Sequence, residues 1–165
     1  MKRIESQKEL LSLRGAFLHK IGDQNRISLP SNFKEAIANR GVKRLVVVKY
    51  QDCLRAWPED EWDKREQGLN SLNLDDDKVS EYLRYLYANC MDFEVDTQGR
   101  IFLPENWKTE MAIKDQVFLV GMGNLFELWS PDYYKFKQKE LGDRFGVNRS
   151  YVAELLEKRK RDEGN

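Results

Sequence analysis

Soft-ligand chemistry is scarce in this chain: its 165 residues include two cysteines and one histidine. Cys53 and Cys90 have no C-x-x-C spacing and each lies among apolar neighbours, so both read as buried free thiols, not as a disulfide or a metal pair. His19 alone cannot build a histidine metal cluster, and no serine or cysteine nucleophile motif accompanies it. A glycine-rich phosphate loop is missing, and so is a general base with a positioned partner. The expectation is therefore a protein with no catalytic residues, no metal and no cofactor. No run approaches the roughly 18 apolar residues of a membrane span. The stretch Met1 to Leu13 mixes Lys2, Arg3, Glu5, Lys8 and Glu9 with few apolar residues, unlike a signal peptide. These absences point to the cytoplasm and to no membrane partner.

Net charge is also absent, with 28 basic residues against 28 acidic ones. The balance conceals an asymmetry. Arg14 to Trp57 holds nine Lys/Arg against three Asp/Glu, a net of +6, whereas Pro58 to Gly99 holds four against twelve, a net of −8. The first stretch suits a polyanion and the second does not. Two ordinary solvated faces would explain the same numbers, so charge alone leaves nucleic-acid binding open.

What the chain does contain is an internal repeat. Residues 26–33, RISLPSNF, align with residues 100–107, RIFLPENW, with five of eight positions identical and Phe33 matched by Trp107. Downstream, LVVV at 45–48 answers VFLV at 117–120, and CLRAW at 53–57 answers LFELW at 125–129. The offset falls from 74 residues at the arginines to 72 at the tryptophans, as a two-residue insertion near Ala38 to Gly41 would produce. Each copy predicts the same series. A strand (Ala16 to Ile21, Met91 to Val95) enters a polar turn (22–25, 96–99), and a second strand (Arg26 to Leu29, Arg100 to Leu103) ends at a proline. A short helix (Ser31 to Ala38, Glu105 to Ala112) then leads to a hairpin. The hairpin strands are Arg44 to Tyr50 with Leu54 to Trp57, and Gln116 to Gly121 with Leu125 to Trp129. Asn25 and Gly99 occupy equivalent turn positions, and these two residue types accept left-handed backbone most readily.

The predicted units are a first repeat over 16–61, a helical connector over 62–89, a second repeat over 90–133, and a C-terminal helix with a charged tail over 134–165. In the connector, Val79, Tyr82, Leu83, Leu86 and Cys90 form an amphipathic stripe, preceded by Asp75, Asp76 and Asp77 as helix-capping carboxylates. A helix is expected from Pro131 to about Leu141, with a marginal second one from Val147 to Arg161. Neither repeat has enough core to stand alone, so two half-barrels related by a pseudo-twofold are expected to close one barrel.

Residues 95–104, VDTQGRIFLP, resemble the signature of the MraZ family, a D-x-x-x-R turn followed by an apolar strand ending in proline. Residues 21–30, IGDQNRISLP, resemble it with one departure, since Gly22 stands at the Asp position and Asp23 comes one residue later. LVGMGNLFELW at 119–129 and CLRAWPEDEW at 53–62 add to the match, which covers about residues 14 to 140. The resemblance implies an α+β, mainly β fold: a double-psi, swapped-hairpin AbrB-like barrel made from the two tandem repeats. It further implies a nucleoid-associated regulator, usually a repressor, that assembles as a homo-oligomeric ring. Its partner would be double-stranded DNA, at direct repeats in the promoter of the division and cell-wall gene cluster.

Carried over residue by residue, the DNA-contacting turns would use Arg26 with Asp23, and Arg100 with Asp96. Arg14, Lys20 and His19 are secondary candidates for phosphate. An arginine just after a tight turn can present its planar five-donor group to phosphate or to the guanine edge, and a nearby aspartate would hold its rotamer. The plain alternative is a pair of surface ion pairs of little worth. A rival reading is an AbrB-fold protein-interaction or antitoxin-like module without DNA specificity, which would use the tyrosines expected to be exposed, Tyr85, Tyr87, Tyr133 and Tyr134.

Overall fold

The computed structural model describes residues 11–164. Its first repeat runs β1 (Ala16–Lys20), a single 3-10 turn (Asp23–Asn25), β2 (Arg26–Ser28), α1 (Ser31–Arg40), β3 (Arg44–Lys49) and β4 (Leu54–Pro58). Two connector helices follow, α2 (Glu59–Asn70) and α3 (Asp77–Ala88). The second repeat runs β5 (Cys90–Glu94), β6 (Arg100–Phe102), α4 (Glu105–Glu110), β7 (Gln116–Gly121) and β8 (Phe126–Trp129), and α5 (Pro131–Glu163) follows it. The two-residue difference between the copies is absorbed at the end of the short helix. α1 has 10 residues and stops at Gly41 with φ 72, whereas α4 has 6.

The repeats do not fold side by side; they trade strands. β1 pairs antiparallel with β7 of the other repeat, setting Ala16 opposite Val120. β5 pairs in the same way with β3, setting Cys90 opposite Val48. Under the repeat offsets these two registers are images of each other. β4 pairs with β8 around Arg55 and Glu127, and β2 pairs with β6 around Ile27 and Ile101, so both central pairs lie on a pseudo-twofold axis. The result is a six-stranded antiparallel sheet in the order β1-β7-β8-β4-β3-β5 and a separate β2-β6 ribbon.

Alternation along the strands accounts for one core shared by both halves. Ile27, Leu29, Phe33, Leu45, Val47 and Leu54 from the first repeat bury with Ile101, Leu103, Trp107, Leu119, Phe126 and Leu128 from the second. The opposite face of β3 turns Val46 and Val48 toward Trp57, Trp62 and Leu86, which places the connector helices over the first hairpin. That second covering explains why LVVV reads as a continuous apolar run. Asp76 caps α3 by accepting from the backbone N–H groups of Lys78 and Val79 at 2.9 and 3.3 Å.

The chain divides into two compact units, one ending at Pro131 and the other starting at Asp132. The α+β class expected from sequence is observed, but several details differ. β1 and β5 are the terminal strands, so the hydrogen-bonded order is open and does not close a barrel. Helix outweighs strand, because α2, α3 and the 33-residue α5 are added to a β framework. α5 is a single helix, not two segments, and it continues through Gly142 and Gly146, neither of which has positive φ. Of the stripe expected on α3, only Leu86 is fully buried, while Tyr82 is exposed. Cys53 is buried, but Cys90 at the start of edge strand β5 is only half-buried. Tyr85, Tyr87 and Tyr133 are exposed, whereas Tyr134 is buried. No helix among the described residues is long and apolar enough to cross a membrane.

Candidate nucleic-acid interface

The β2-β6 ribbon is only three residue pairs long: Arg26 opposite Phe102, Ile27 opposite Ile101, and Ser28 opposite Arg100. Ile27 and Ile101 are fully buried, so period-two alternation turns Arg26, Ser28, Arg100 and Phe102 to the other face. Arg26 and Arg100 are therefore diagonal neighbours on one face, with backbones roughly 7–8 Å apart. Sequence reasoning names both arginines. The pairing of the two copies is what brings them together.

Left-handed residues feed each arginine into its strand. Gln24 and Asn25 both have φ 56 in the first turn, and Gly99 has φ 70 in the second. The turns close alike, with the Gly22 N–H donating to the Arg26 carbonyl at 2.8 Å and the Asp96 N–H donating to that of Arg100 at 2.9 Å. They also lock each other. Leu29 N–H donates to the Gly99 carbonyl and Leu103 N–H to the Asn25 carbonyl, both at 3.0 Å.

Each turn also leans on the short helix of the other repeat. The Asn25 amide donates to Glu105 at 2.7 Å and accepts from Lys108 at 3.2 Å. At Gly99 the equivalent lysine, Lys34, passes so close that an added Cβ would meet its side-chain carbons at 2.6–2.7 Å. Asn25, Glu105, Lys108 and Lys34 are absent from the site expected from sequence. The 74-residue offset that pairs Lys34 with Lys108 is the signal that points to them.

The two arginines differ in how they are held. In the second turn Asp96 Oδ1 accepts from the Gln98 and Arg100 backbone N–H groups, each at 2.9 Å. Its Oδ2 accepts from Arg100 Nε, also at 2.9 Å. The Arg100 backbone N–H, followed by its guanidinium, holds the Asp96 carboxyl below its ordinary value. The first turn has no such clamp. Asp23 is exposed and forms no ion pair with Arg26 among the described residues, so it does not replace the missing carboxylate at Gly22. The Arg26 guanidinium instead lies 5.4 Å from the centre of the exposed Phe102 ring.

The secondary candidates are spread out. Arg14 precedes β1 and Lys20 ends it, and both are exposed. That separation is roughly 20 Å along an extended chain, so only Lys20 approaches the first turn. Arg14 donates to Ser12 Oγ at 3.3 Å. His19 Nδ1 sits 2.6 Å from the Ser28 carbonyl; a carbonyl only accepts, so the ring proton is on that nitrogen.

Sequence comparison matches residues 12–84 and 86–145 to the family described as "MraZ protein, putative antitoxin-like". A protein of Leuconostoc citreum (strain KM20) called "Transcriptional regulator MraZ" is 32% identical over 131 residues, 79% of this chain and 90% of that relative. A relative of the same name from Caldicellulosiruptor saccharolyticus is 30% identical over 145 residues, covering 88% and 96%. One from Limosilactobacillus reuteri (strain DSM 20016) is 32% identical over 133 residues, covering 81% and 92%.

Proposed function

Because the chain belongs to the MraZ family, we propose that it is a transcriptional regulator that binds promoter DNA through the outer face of the β2-β6 ribbon. The observation that carries this reading is the diagonal placement of Arg26 and Arg100 on one exposed ribbon face. A two-stranded ribbon fits the major groove, where arginine can bind guanine bidentately and phosphates fix the register. In this reading Asp96 pre-orients Arg100 as a base-reading group, and Arg26, free of a carboxylate, adapts to its target. Lys20 and Arg14 grip phosphates at the margin.

The finer parts of the proposal extend what the resemblance to the family implies. The chain acts in the cytoplasm, on the nucleoid, as a repressor of the division and cell-wall gene cluster, and binds direct repeats as a homo-oligomeric ring. Ring assembly would supply avidity that a chain of zero net charge lacks by itself. Its repeat units are 16–61 and 90–133, with 62–89 as connector and 134–165 as C-terminal extension. The strand exchange between repeats supports a swapped-hairpin AbrB-like ancestry for the sheet.

The test is titration of wild type and the Arg26→Ala/Arg100→Ala variant, matched in oligomer size, against DNA upstream of the chain's own gene and a scrambled duplex. At about 1–3 kcal/mol per bidentate arginine–guanine pair, the variant should bind the promoter roughly 30-fold or more weakly. Its salt slope should flatten by about one for each phosphate that is no longer neutralised. Equal binding of wild type to promoter and scrambled DNA would overturn the reading and favour a protein partner.

A further inference from the structure

The family match ends at residue 145, yet α5 continues to Glu163. This extension is a helix with a problem. Gly142 and Gly146 lie inside it, each costing about 1 kcal/mol relative to alanine. It also leaves large apolar side chains in water, with Phe145 66%, Leu156 55% and Val152 49% exposed. A helix of that kind is held by packing against another one.

The spacing identifies the partner. Leu141, Phe145, Asn148, Val152 and Leu155 alternate in steps of four and three, which is the 3.5-residue period of a coiled-coil seam. Tyr151 and Leu156 flank that seam on opposite sides, where neighbouring helices touch in a parallel pair. We propose that the extension of α5 pairs in parallel and in register with the same helix of a second copy. Two features argue for equal positions meeting. The Asn148 amides can then hydrogen-bond to each other, whereas an antiparallel pair sets each against Phe145 or Val152 and strands a polar group. Parallel pairing also brings Tyr151 against the partner's Leu156 and Lys158 against the partner's Glu163. It also creates like-charge pairs, Arg144 beside the partner's Arg149 and, at the far end of the seam, Arg159 and Asp162 beside their own counterparts. The arginine repulsion is softened because Glu140 already pairs with Arg144 at 2.9 Å and Glu163 with Arg159 at 2.7 Å. The pairing does not require that the chain bind DNA.

Mild oxidation of the full-length Asn148→Cys variant, read on a non-reducing denaturing gel, tests the proposal. Most of the chain should run as a disulfide-linked dimer, well beyond the background that wild type gives through Cys53 and Cys90. Glu157→Cys, on the opposite side of the helix, should stay at wild-type background. Adding Phe145→Glu to Asn148→Cys should abolish the dimer while circular dichroism shows the chain still folded, since Phe145 is 66% exposed. Absence of a dimer at position 148, or equal dimer at 148 and 157, would overturn the pairing.

Discussion

Gly121 decides whether β1 can reach its partner strand, and Gly121→Ala measures that requirement. Its φ is not positive, so an alanine suffers no backbone strain; what it lacks is room. A Cβ there would lie 2.5 Å from the Leu13 carbonyl carbon and oxygen and 2.6 Å from Arg14 N, all of them main chain. Carbon atoms sit comfortably at about 3.5–4.0 Å, so the 13–15 segment must retreat by roughly 1 Å. Three backbone hydrogen bonds are at risk, from Gly121 N to the Gly15 carbonyl (2.8 Å), from Leu13 N to the Gly123 carbonyl (2.7 Å), and from Gly123 N back to Leu13 (2.9 Å). Leu13, fully buried, would loosen with them. At about 1 kcal/mol per bond and about 1.5–3 for the leucine, with each only partly forfeited, the substitution should cost about 3–5 kcal/mol. Gly123→Ala is the matched control: its φ is +87 and nothing lies within 4 Å of its Cβ. Strain of about 1–2 kcal/mol, offset by the reduced flexibility of the unfolded chain, leaves about 1 kcal/mol. Urea unfolding should show a large fall in midpoint for Gly121→Ala and a small one for Gly123→Ala. Similar midpoints, or the reverse order, would refute the close-approach argument.

Other substitutions probe single interactions. Ala112 has φ 53 without being glycine, so Ala112→Gly should raise stability by about 0.5–1 kcal/mol in the same assay. Asp76→Ala removes the acceptor for two N–H groups at the start of α3 and should cost about 1 kcal/mol, with promoter affinity unchanged. Asp96 is held below its ordinary 3.8, so its stabilisation is complete above that value and disappears as pH falls through the lower folded-state value. The stability gap between wild type and Asp96→Asn should therefore hold steady from neutral pH to about pH 5 and close in stronger acid, as thermal unfolding across that range would show.

Local features of this fold are legible in the sequence because they depend on neighbouring residues. Asn25 and Gly99 announce left-handed turns, Pro30 and Pro104 end strands, and the aligned arginines mark one position in two copies. Strand exchange is not legible in that way. β1 would show the same alternation whether it paired within its own repeat or with β7, and only the shared core decides between them. The ribbon face is hidden for the same reason, since the closeness of Arg26 and Arg100 is a product of pairing across the repeats. Asp23 is a local failure: one residue after Gly22, it makes no ion pair with Arg26 among the described residues, and the Arg26 guanidinium lies over the Phe102 ring instead. The single length of α5 runs against its glycines, which lower helix propensity without forbidding the conformation.

The traded strands also set a schedule for biosynthesis. Ala16 leaves the ribosome early in the synthesis of this fold, but Val120, the residue opposite it in β7, is made more than a hundred residues later. At about 5–20 residues per second, β1 waits on the order of five to twenty seconds with its edge unpaired. β3 waits a shorter time for β5. A chain halted at the connector would own both strands of the first hairpin and still lack the six-stranded sheet, the ribbon and nearly half of the shared core. The paired-arginine surface therefore comes into being only after the second repeat has been made, and a product terminated before Arg100 has no half-strength version of it.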